Sequence, residues 1–320
     1  MVALSQIIEL HIELSSYCNA RCPLCHRNFF GFPHNGGYAE TNLTLSQLQK
    51  LLPVPFVQQL KLIFVNGNYG DFVMNPESIE IFEWFKSVNP WLRFLISTNG
   101  SARDSNFWKK LGDKNTKVWF CIDGLEDTHG IYRQNTLFST IIKNAKTFIN
   151  AGGIAVWRMN EFEHNLHQFE EAEALAKELG FAEFIRQPTN RDHGPVYNKN
   201  GKKVFTMKND RGYPDQIDSD FAKQNMPGSR PDIDKSKKVT CKALKRNSLY
   251  IGADGTIDPC CYLGIDKETW PYWHKTSELR QGVFPTDIDA GIEWYNKVLA
   301  TIDTEDELPV CNQFCGQSCT

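Results

Sequence analysis

The chain has 320 residues, of which 41% are hydrophobic and 23% are charged, and its formal net charge at pH 7 is −3. This length is enough for a large domain with its own core and a smaller second one. The slightly acidic balance contains no Lys/Arg-rich block, which points away from nucleic acid as a partner. Modification of RNA would need a basic patch that the sequence does not show.

The first apolar run near the N-terminus carries two glutamates and a histidine, and no basic residues precede it. These charges argue against a secretory signal and against a membrane-spanning helix, so we expect a cytoplasmic protein with no membrane contact. In a reducing compartment, we expect the ten cysteines to be metal ligands or small buried residues and not disulfides.

The first predicted strand covers residues 6–14 and leads into a loop that carries Cys18, Cys22 and Cys25. A disulfide framework would suit a short secreted chain, which this is not. A structural zinc site needs four closed ligands, and His26 is an awkward fourth because adjacent side chains rarely converge on one ion. The third interpretation is an iron–sulfur cluster held on three of its four irons, which leaves one iron open to a small molecule.

The spacing Cys-x3-Cys-x2-Cys, followed by His26, resembles the signature of the radical S-adenosylmethionine (radical SAM) superfamily. In that family the open iron chelates the methionine moiety of S-adenosylmethionine, and an electron cleaves the sulfonium to give a 5′-deoxyadenosyl radical. The resemblance implies a [4Fe-4S] radical SAM cluster on Cys18, Cys22 and Cys25, with S-adenosylmethionine as cosubstrate. It also implies an electron donor of the flavodoxin or ferredoxin type.

The second predicted strand, residues 60–65, runs into a Gly-rich turn, and Pro76 opens a helix after it. Residues 69–72 occupy the place of the family's Gly-Gly-Glu-Pro motif, although only Gly70 is identical. The resemblance implies that Gly70 and Asp71 hold the methionine amino group of the cosubstrate. An ordinary Gly-rich turn is the alternative.

The third predicted strand, residues 92–96, ends in Thr98 and Asn99, which lie beside the cofactor in the family, although Asn-Gly is also common in plain turns. The fourth strand, residues 117–122, ends at Asp123. This segment and the later Arg133 resemble the radical SAM branch with a SPASM or twitch extension. There the strand-end residue approaches the ribose and the arginine pairs with the methionine carboxylate. For Arg133 alone, a solvated surface charge is the alternative.

Two further strands are predicted at residues 154–158 and 182–186, with an amphipathic helix over 168–179 between them. Six strand–helix repeats with functional residues at strand ends predict an α/β fold, a partial (β/α)6 TIM-like barrel. An open doubly wound sheet is the alternative, but it does not explain why four separate strand ends resemble parts of an active site.

We expect the barrel to span residues 1–187, a polar bridging segment 188–238, and a small cysteine-rich domain 239–320. In the last of these, a hairpin over residues 249–257 brings its flanking cysteines together. Four cysteines from two separated pairs would also suit zinc.

The pattern Cys-x13-Gly-x4-Cys from Cys241 to Cys260 resembles the opening of a SPASM domain. A full SPASM domain uses about seven cysteines for two clusters, and this segment has fewer, so we expect one auxiliary [4Fe-4S] cluster, as in the twitch form. Its expected ligands are Cys241, Cys260 and two of the three cysteines near the end of the chain. Cys261 is expected to be a spare. The three terminal cysteines are Cys311, Cys315 and Cys319.

Relatives of this type act mainly on peptides and proteins, so the resemblance implies a peptide or protein substrate modified by hydrogen abstraction. Recognition of a leader peptide would then require a separate partner protein. One alternative is oxidation or rearrangement of a small molecule such as an aminocyclitol alcohol. Another, from a different class, is a zinc-stabilised interaction module.

Overall fold

The architecture is built on one eight-stranded sheet in which seven strands are parallel and one edge strand is antiparallel. The structure, a computed structural model, describes residues 1–33, 39–189, 191, 194–208, 214, 216–218, 237–264, 285–302, 304 and 307–318. In spatial order the strands are β14 (Ile257–Asp258), β13 (Ser248–Ile251), β1 (Glu9–Ile12), β5 (Leu62–Val65), β6 (Arg93–Thr98), β7 (Thr116–Cys121), β8 (Ile154–Asn160) and β9 (Glu183–Gln187). All six predicted strands are present and parallel.

The two faces of the sheet differ in chemistry because successive side chains of a strand point to opposite sides. On β1, Leu10 and Ile12 are fully buried in the main hydrophobic core. His11 faces the other way and packs against Phe64 of β5, with ring centroids 4.7 Å apart. Phe64 also lies 5.9 Å from Trp119 of β7, although β6 separates their strands. A flat sheet would hold those strands roughly 10 Å apart, so the sheet curves toward this face.

The helices follow the strands in the order expected of repeated β-α units. Up to residue 178 they are α1 (Leu45–Leu51), α2 (Val54–Gln59), α3 (Ser78–Val88), α4 (Ser105–Leu111), α5 (His129–Tyr132), α6 (Phe138–Asn150) and α7 (Phe169–Glu178). Short 3₁₀ helices cover Leu4–Gln6, Phe72–Met74 and Glu163–Gln168. The predicted helix over 168–179 is confirmed. The sequence analysis missed α2, α4 and α5, which are short helices.

The residues that precede α1 and α4 form the N-cap hydrogen bonds that a helix start needs. Thr44 accepts the backbone N–H of Gln47 at 3.2 Å, and the Gln47 side chain accepts the backbone N–H of Thr44 at 2.8 Å. This reciprocal pair satisfies two N–H groups that a helix end leaves free, which fixes where α1 begins. Asp104 caps α4 by accepting the N–H of Phe107 at 2.9 Å.

Smaller elements surround the sheet. The short strands are β2 (Leu24–Cys25), β3 (Asn28–Phe29), β4 (Phe32–Pro33), β10 (Pro195–Tyr197), β11 (Lys203–Thr206), β12 (Lys237–Val239) and β15 (Gly316–Ser318). The remaining helices are α8 (Lys242–Arg246), α9 (Cys261–Gly264), α10 (Ile288–Thr301) and α11 (Pro309–Cys315). Among the described helices, none is long and apolar enough to cross a membrane.

The predicted hairpin near the C-terminus forms and joins the main sheet. Strands β13 and β14 pair antiparallel, and β13 pairs parallel with β1 in the register Leu10 to Leu249. Gly255 in the turn has a φ of +82°, a backbone conformation that side-chain-bearing residues rarely adopt. The segment that carries Cys241 and Cys260 is therefore held at the edge of the main sheet. The division into three domains stays a prediction.

Candidate active site

The three cysteines of the first loop lie directly after β1, at the carboxyl edge of the sheet. Cys22 is buried, and Cys18 and Cys25 are half-buried. Burial raises the pKa of Cys18 well above its usual range, and the neighbouring Asp71, Cys22 and Cys25 raise it further. Burial likewise raises the pKa of Cys22 to about 11, against the lowering effect of Arg133. Three neighbouring thiols, two of which resist ionisation, are a fitting donor set for a cationic metal group, which would favour their thiolates.

The three thiols could each bind a different iron of a four-iron cluster, so they need not meet at one point as the ligands of a single ion must. Within the described ranges, no group of three or more His, Cys, Asp or Glu side chains is placed to hold one metal ion. A cluster on Cys18, Cys22 and Cys25 stays a prediction.

Asp71, after β5, joins the next strand end to this loop. Its buried carboxylate accepts the Thr98 hydroxyl at 2.8 Å, the Asn99 backbone N–H at 2.7 Å and the Asn99 side-chain amide at 2.8 Å. The same amide lies 3.0 Å from the Asn19 side-chain oxygen and 3.8 Å from the Cys18 sulfur. Burial raises the pKa of Asp71, and the hydrogen bonds from Asn99 and Thr98 lower it. The structure thus brings four predicted site residues together.

Gly70 sits where the turn after β5 presses against the chain that follows β1. A Cβ at this position would lie 1.8 Å from the Ser15 carbonyl oxygen, far inside any real contact. The backbone N–H groups of Tyr69 and Gly70 both donate to Glu13 at 2.9 Å. The glycine is required by this close approach, because any side chain would push the two segments apart.

Glu13 is a site residue that the sequence analysis missed. It is 2% exposed, and the Tyr250 hydroxyl donates to it at 2.8 Å. Burial raises the pKa of Glu13, whereas the hydrogen bonds from Tyr69, Gly70 and Tyr250 lower it. The sequence signal that could have identified Glu13 is an acidic residue inside a predicted apolar strand, because a buried charge needs partners.

Asp123 and Arg133 form a second cluster beside Cys22. The Asp123 side chain is fully buried, and its carboxylate accepts Arg133 Nε at 2.5 Å and the Asn160 backbone N–H at 2.7 Å. Arg133 Nη1 lies 3.7 Å from the Cys22 sulfur. Burial by itself would lower the pKa of Arg133, but Asp123 and Cys22 raise it well above its usual range. With its side chain only 15% exposed, Arg133 is not a solvated surface charge.

His129 supports this pair, and the sequence analysis did not single it out. Its Nδ1 accepts the backbone N–H of Asp123 at 3.2 Å, and its Nε2 lies 2.9 Å from the Thr136 hydroxyl. Burial lowers the pKa of His129 to about 4. The charge of Asp123 raises this pKa, and the charge of Arg133 lowers it further. The ring is therefore neutral at physiological pH, with its proton on Nε2, and it holds the segment from Asp123 to Thr136 closed.

Part of the predicted bridging segment packs on the cysteine loop. The backbone N–H of Tyr197 donates to the Phe30 carbonyl at 2.9 Å, and its hydroxyl accepts the N–H of Ile217 at 2.8 Å. Phe30 and Tyr197 share a small hydrophobic cluster with Cys22. These described residues cover the loop and keep water from one side of it.

Four cysteines of the second set share one pocket. Cys241, Cys260, Cys311 and Cys315 line one pocket whose other walls are largely apolar. Burial raises the pKa of Cys260 well above its usual range and the pKa of Cys311 to about 12. Cys261 is not among the residues that line this pocket.

Local structure explains the convergence. Cys241 precedes α8 and accepts the N–H of Leu244, and Cys260 precedes α9. Cys311 and Cys315 are four residues apart on α11 and so share a helix face. Cys319, the other candidate ligand, lies outside the described residues. Four thiols are a donor set for an iron–sulfur cluster or for zinc.

Comparison with known proteins finds similarity only in the fold. No family profile and no curated protein match the chain. Streptococcus suis SuiB bound to S-adenosylmethionine superposes with a TM-score of 0.53 at 15% identity, over 82% of this chain and 62% of SuiB. anSMEcpe with bound AdoMet gives a TM-score of 0.54 at 15% identity, over 82% of this chain and 74% of that one. SuiB bound to precursor peptide SuiA superposes with a TM-score of 0.52 at 15% identity, over 83% of this chain and 63% of that chain.

These proteins share a mixed α/β fold with this chain, which spans 62% of the length of SuiB. The mostly parallel sheet is consistent with the predicted radical SAM partial barrel. The likeness is one of fold, so the chemistry must be argued from this chain's own residues.

Proposed function

We propose that this chain is a radical SAM enzyme whose cluster is held by Cys18, Cys22 and Cys25. The observation that carries the proposal is that two predicted cosubstrate contacts lie against two of those thiols. Asn99 Nδ2 is 3.8 Å from the Cys18 sulfur, and Arg133 Nη1 is 3.7 Å from the Cys22 sulfur. When bound, the cluster would supply an open iron and the electron for reductive cleavage of S-adenosylmethionine.

The chain's own residues would bind and orient the cosubstrate. Arg133 has its Nε committed to Asp123, which leaves the Nη edge of the guanidinium for the methionine carboxylate. Asp123 has both oxygens engaged within the protein, by Arg133 and by Asn160. In this proposal Asp123 therefore acts on the cosubstrate through Arg133.

On the other side, the turn at Gly70 and Asp71 would take the methionine amino group. Thr98 and Asn99 already donate hydrogen bonds to the Asp71 carboxylate, so this turn is organised before the cosubstrate arrives. Prior organisation matters because binding energy is then not consumed in ordering the site.

For the second cysteine set we propose one auxiliary [4Fe-4S] cluster with Cys241, Cys260, Cys311 and Cys315 as ligands. Their meeting in one largely apolar pocket supports this assignment. Metal analysis separates it from the zinc alternative: we expect iron and acid-labile sulfide, and zinc without iron would overturn it.

The proposed substrate is a peptide or protein. The inner face of the curved sheet carries rings and a cation that could contact side chains, since the Arg158 guanidinium lies 5.1 Å from the Trp119 ring centre. A neighbour in fold, SuiB, has been captured with its precursor peptide SuiA. A separate protein for leader recognition and a flavodoxin- or ferredoxin-type electron donor belong to the same proposal. Oxidation of a small molecule is the alternative.

The test is anaerobic incubation of iron- and sulfide-reconstituted protein with S-adenosylmethionine and dithionite, with 5′-deoxyadenosine read by mass. We expect product from the native chain and from Cys121→Ala, and none from Cys22→Ala. Both thiols are buried, so this pair separates the loss of a ligand from the loss of any thiol. A cluster-loaded chain that forms no product with or without candidate peptides would overturn the proposal.

Candidate peptides labelled with deuterium then separate the substrate classes. Deuterium in the recovered 5′-deoxyadenosine identifies a peptide as the hydrogen donor. Transfer from a labelled aminocyclitol, and from no peptide, would support the small-molecule alternative.

A further inference from the structure

Helix α10 places one tyrosine next to the auxiliary pocket. Asp287 caps the helix by accepting the N–H of Ala290 at 2.9 Å. Gly291 lets the helix lie close to the sheet, because a Cβ there would be 2.5 Å from the Ile257 side chain. Tyr295, one turn further on, is fully buried in the core, and Val298 after it lines the pocket. Tyr295 is therefore held in the core one helical turn from the pocket lining.

The hydroxyl of Tyr295 is a buried polar group that completes no hydrogen bond to an oxygen or nitrogen of the described residues. Its hydrogen-bonding neighbour is the Cys241 thiol, and the Cys260 thiol also acts on it electrostatically. Its neighbour Trp294 is different, because its indole N–H donates to Asp258 at 2.9 Å. A thiol is only a weak acceptor, and a buried hydroxyl without a strong acceptor is costly, so this hydroxyl calls for an explanation.

A packing role does not account for this hydroxyl. Phenylalanine would fill the same space without leaving a polar atom unpaired, and the walls around the pocket are largely apolar. What the site lacks is a strong acceptor. A thiol is a weak acceptor, but a thiolate bound to a cluster is anionic and accepts hydrogen bonds well.

We propose that the Tyr295 hydroxyl donates a hydrogen bond to the Cys241 thiolate of the auxiliary cluster and so raises the cluster's reduction potential. Reduction adds negative charge to the sulfurs, and a donor aimed at one of them stabilises the reduced state more than the oxidised state. The phenol is protonated at neutral pH and remains a donor. Tyr295 is then a tuning residue, not a ligand. This inference rests on the auxiliary cluster proposed above.

The experiment isolates the auxiliary cluster in a chain that carries Cys18→Ala, Cys22→Ala and Cys25→Ala together. After reconstitution, its midpoint potential is measured by redox titration with electron paramagnetic resonance. Adding Tyr295→Phe should make the potential more negative, with the reduction equilibrium changed by up to about tenfold, which is about 59 mV for one electron. Tyr250→Phe is the matched control, because Tyr250 is equally buried but bonds to Glu13.

A second readout is specific to the hydrogen bond. In protein exchanged into D₂O, electron–nuclear double resonance on the reduced cluster should show a deuteron coupling that Tyr295→Phe removes and Tyr250→Phe keeps. An unchanged potential and coupling in Tyr295→Phe, or equal shifts in both variants, would overturn the inference while leaving the cluster in place. Absence of any iron–sulfur signal from the triple variant would instead overturn the auxiliary cluster, and the inference with it.

Discussion

The hydroxyl of Tyr250 donates a 2.8 Å hydrogen bond to Glu13, a residue 237 positions earlier in the chain. Glu13 follows β1 and Tyr250 lies in β13, so the bond ties the first strand to the C-terminal hairpin. The same carboxylate accepts the backbone N–H groups of Tyr69 and Gly70. One buried acid therefore joins the strand before the cysteine loop, the proposed cosubstrate turn and the segment beside the auxiliary pocket.

Replacing Glu13 by alanine should lower both stability and cosubstrate affinity. Two backbone N–H groups and one phenol lose their acceptor, which costs about 1–3 kcal/mol in the free energy of unfolding. Urea denaturation measures the first effect, and calorimetric titration of reconstituted protein with S-adenosylmethionine measures the second. Glu9→Ala, on the same face of β1, is the control. Equal losses in the two variants would contradict this role for Glu13.

Gly70→Ala should disrupt the turn after β5, because the new Cβ would lie 1.8 Å from the Ser15 carbonyl oxygen. The backbone on both sides must move, at a cost of about 2 kcal/mol or more. Gly130→Ala is the matched change, since no heavy atom lies within 4 Å of a Cβ at that position. We expect Gly130→Ala to be neutral or slightly stabilising in urea denaturation, and cosubstrate binding to be lost only in Gly70→Ala.

Arg133→Lys should weaken S-adenosylmethionine binding although it keeps the charge. Lysine cannot hold Asp123 through one nitrogen and present a planar edge with two others. The loss of charge-assisted hydrogen bonds predicts an affinity lower by about 10- to 100-fold. Arg93→Lys, at an exposed position, is the control. Unchanged affinity in Arg133→Lys would show that this guanidinium does not contact the cosubstrate.

Alanine at Cys241, Cys260, Cys311 or Cys315 should each lower the iron content from about eight to about four per chain. Cys261→Ala should leave the iron content unchanged, because Cys261 does not line the pocket. Iron and sulfide analysis after reconstitution provides the measurement. Full iron content in Cys315→Ala would remove Cys315 from the ligand set.

Stability should fall between pH 6.5 and pH 4 through His129. Burial lowers the pKa of His129 from 6.5 to about 4 in the folded chain. His129 by itself therefore lets the unfolded chain bind one more proton in this window, and its share of the free energy of unfolding drops by up to about 3 kcal/mol as the pH falls. His11 and His164, whose pKa values burial also lowers to about 4, add to the pH dependence of the native chain. Above pH 6.5 this contribution is constant.

His129→Gln should flatten that pH dependence by one proton, and His167→Gln, at an exposed position, should not. Urea denaturation at pH 5 and pH 7 makes the comparison. The same pH dependence in all three proteins would show that His129 does not carry it.

The sequence by itself determined which segments form the strands of the sheet. Alternating or continuous apolar runs predicted six strands, and all six are parallel in the structure. Asp71, Thr98 and Asn99 were expected near the cofactor from the resemblance to the radical SAM family, and their positions at strand ends agree with it, because parallel strands end at one edge of a sheet. The strands follow from local periodicity, whereas these residue roles depended on the resemblance.

Only the tertiary structure decided what each of these residues meets. Arg133 could have been a surface charge, and its burial depends on the end of α5 lying against Asp123, which follows β7. Glu13, His129 and Tyr295 have no spacing motif. Their environments come from chain segments that are distant in sequence.

The second cysteine set shows the same division. The sequence predicted Cys241 and Cys260 from their spacing around a hairpin, but it could not choose among the terminal cysteines. The fold brings Cys311 and Cys315 to the pocket because α11 packs there with one face inward. Spacing along a chain limits which residues can meet, but packing between distant elements decides which of them do.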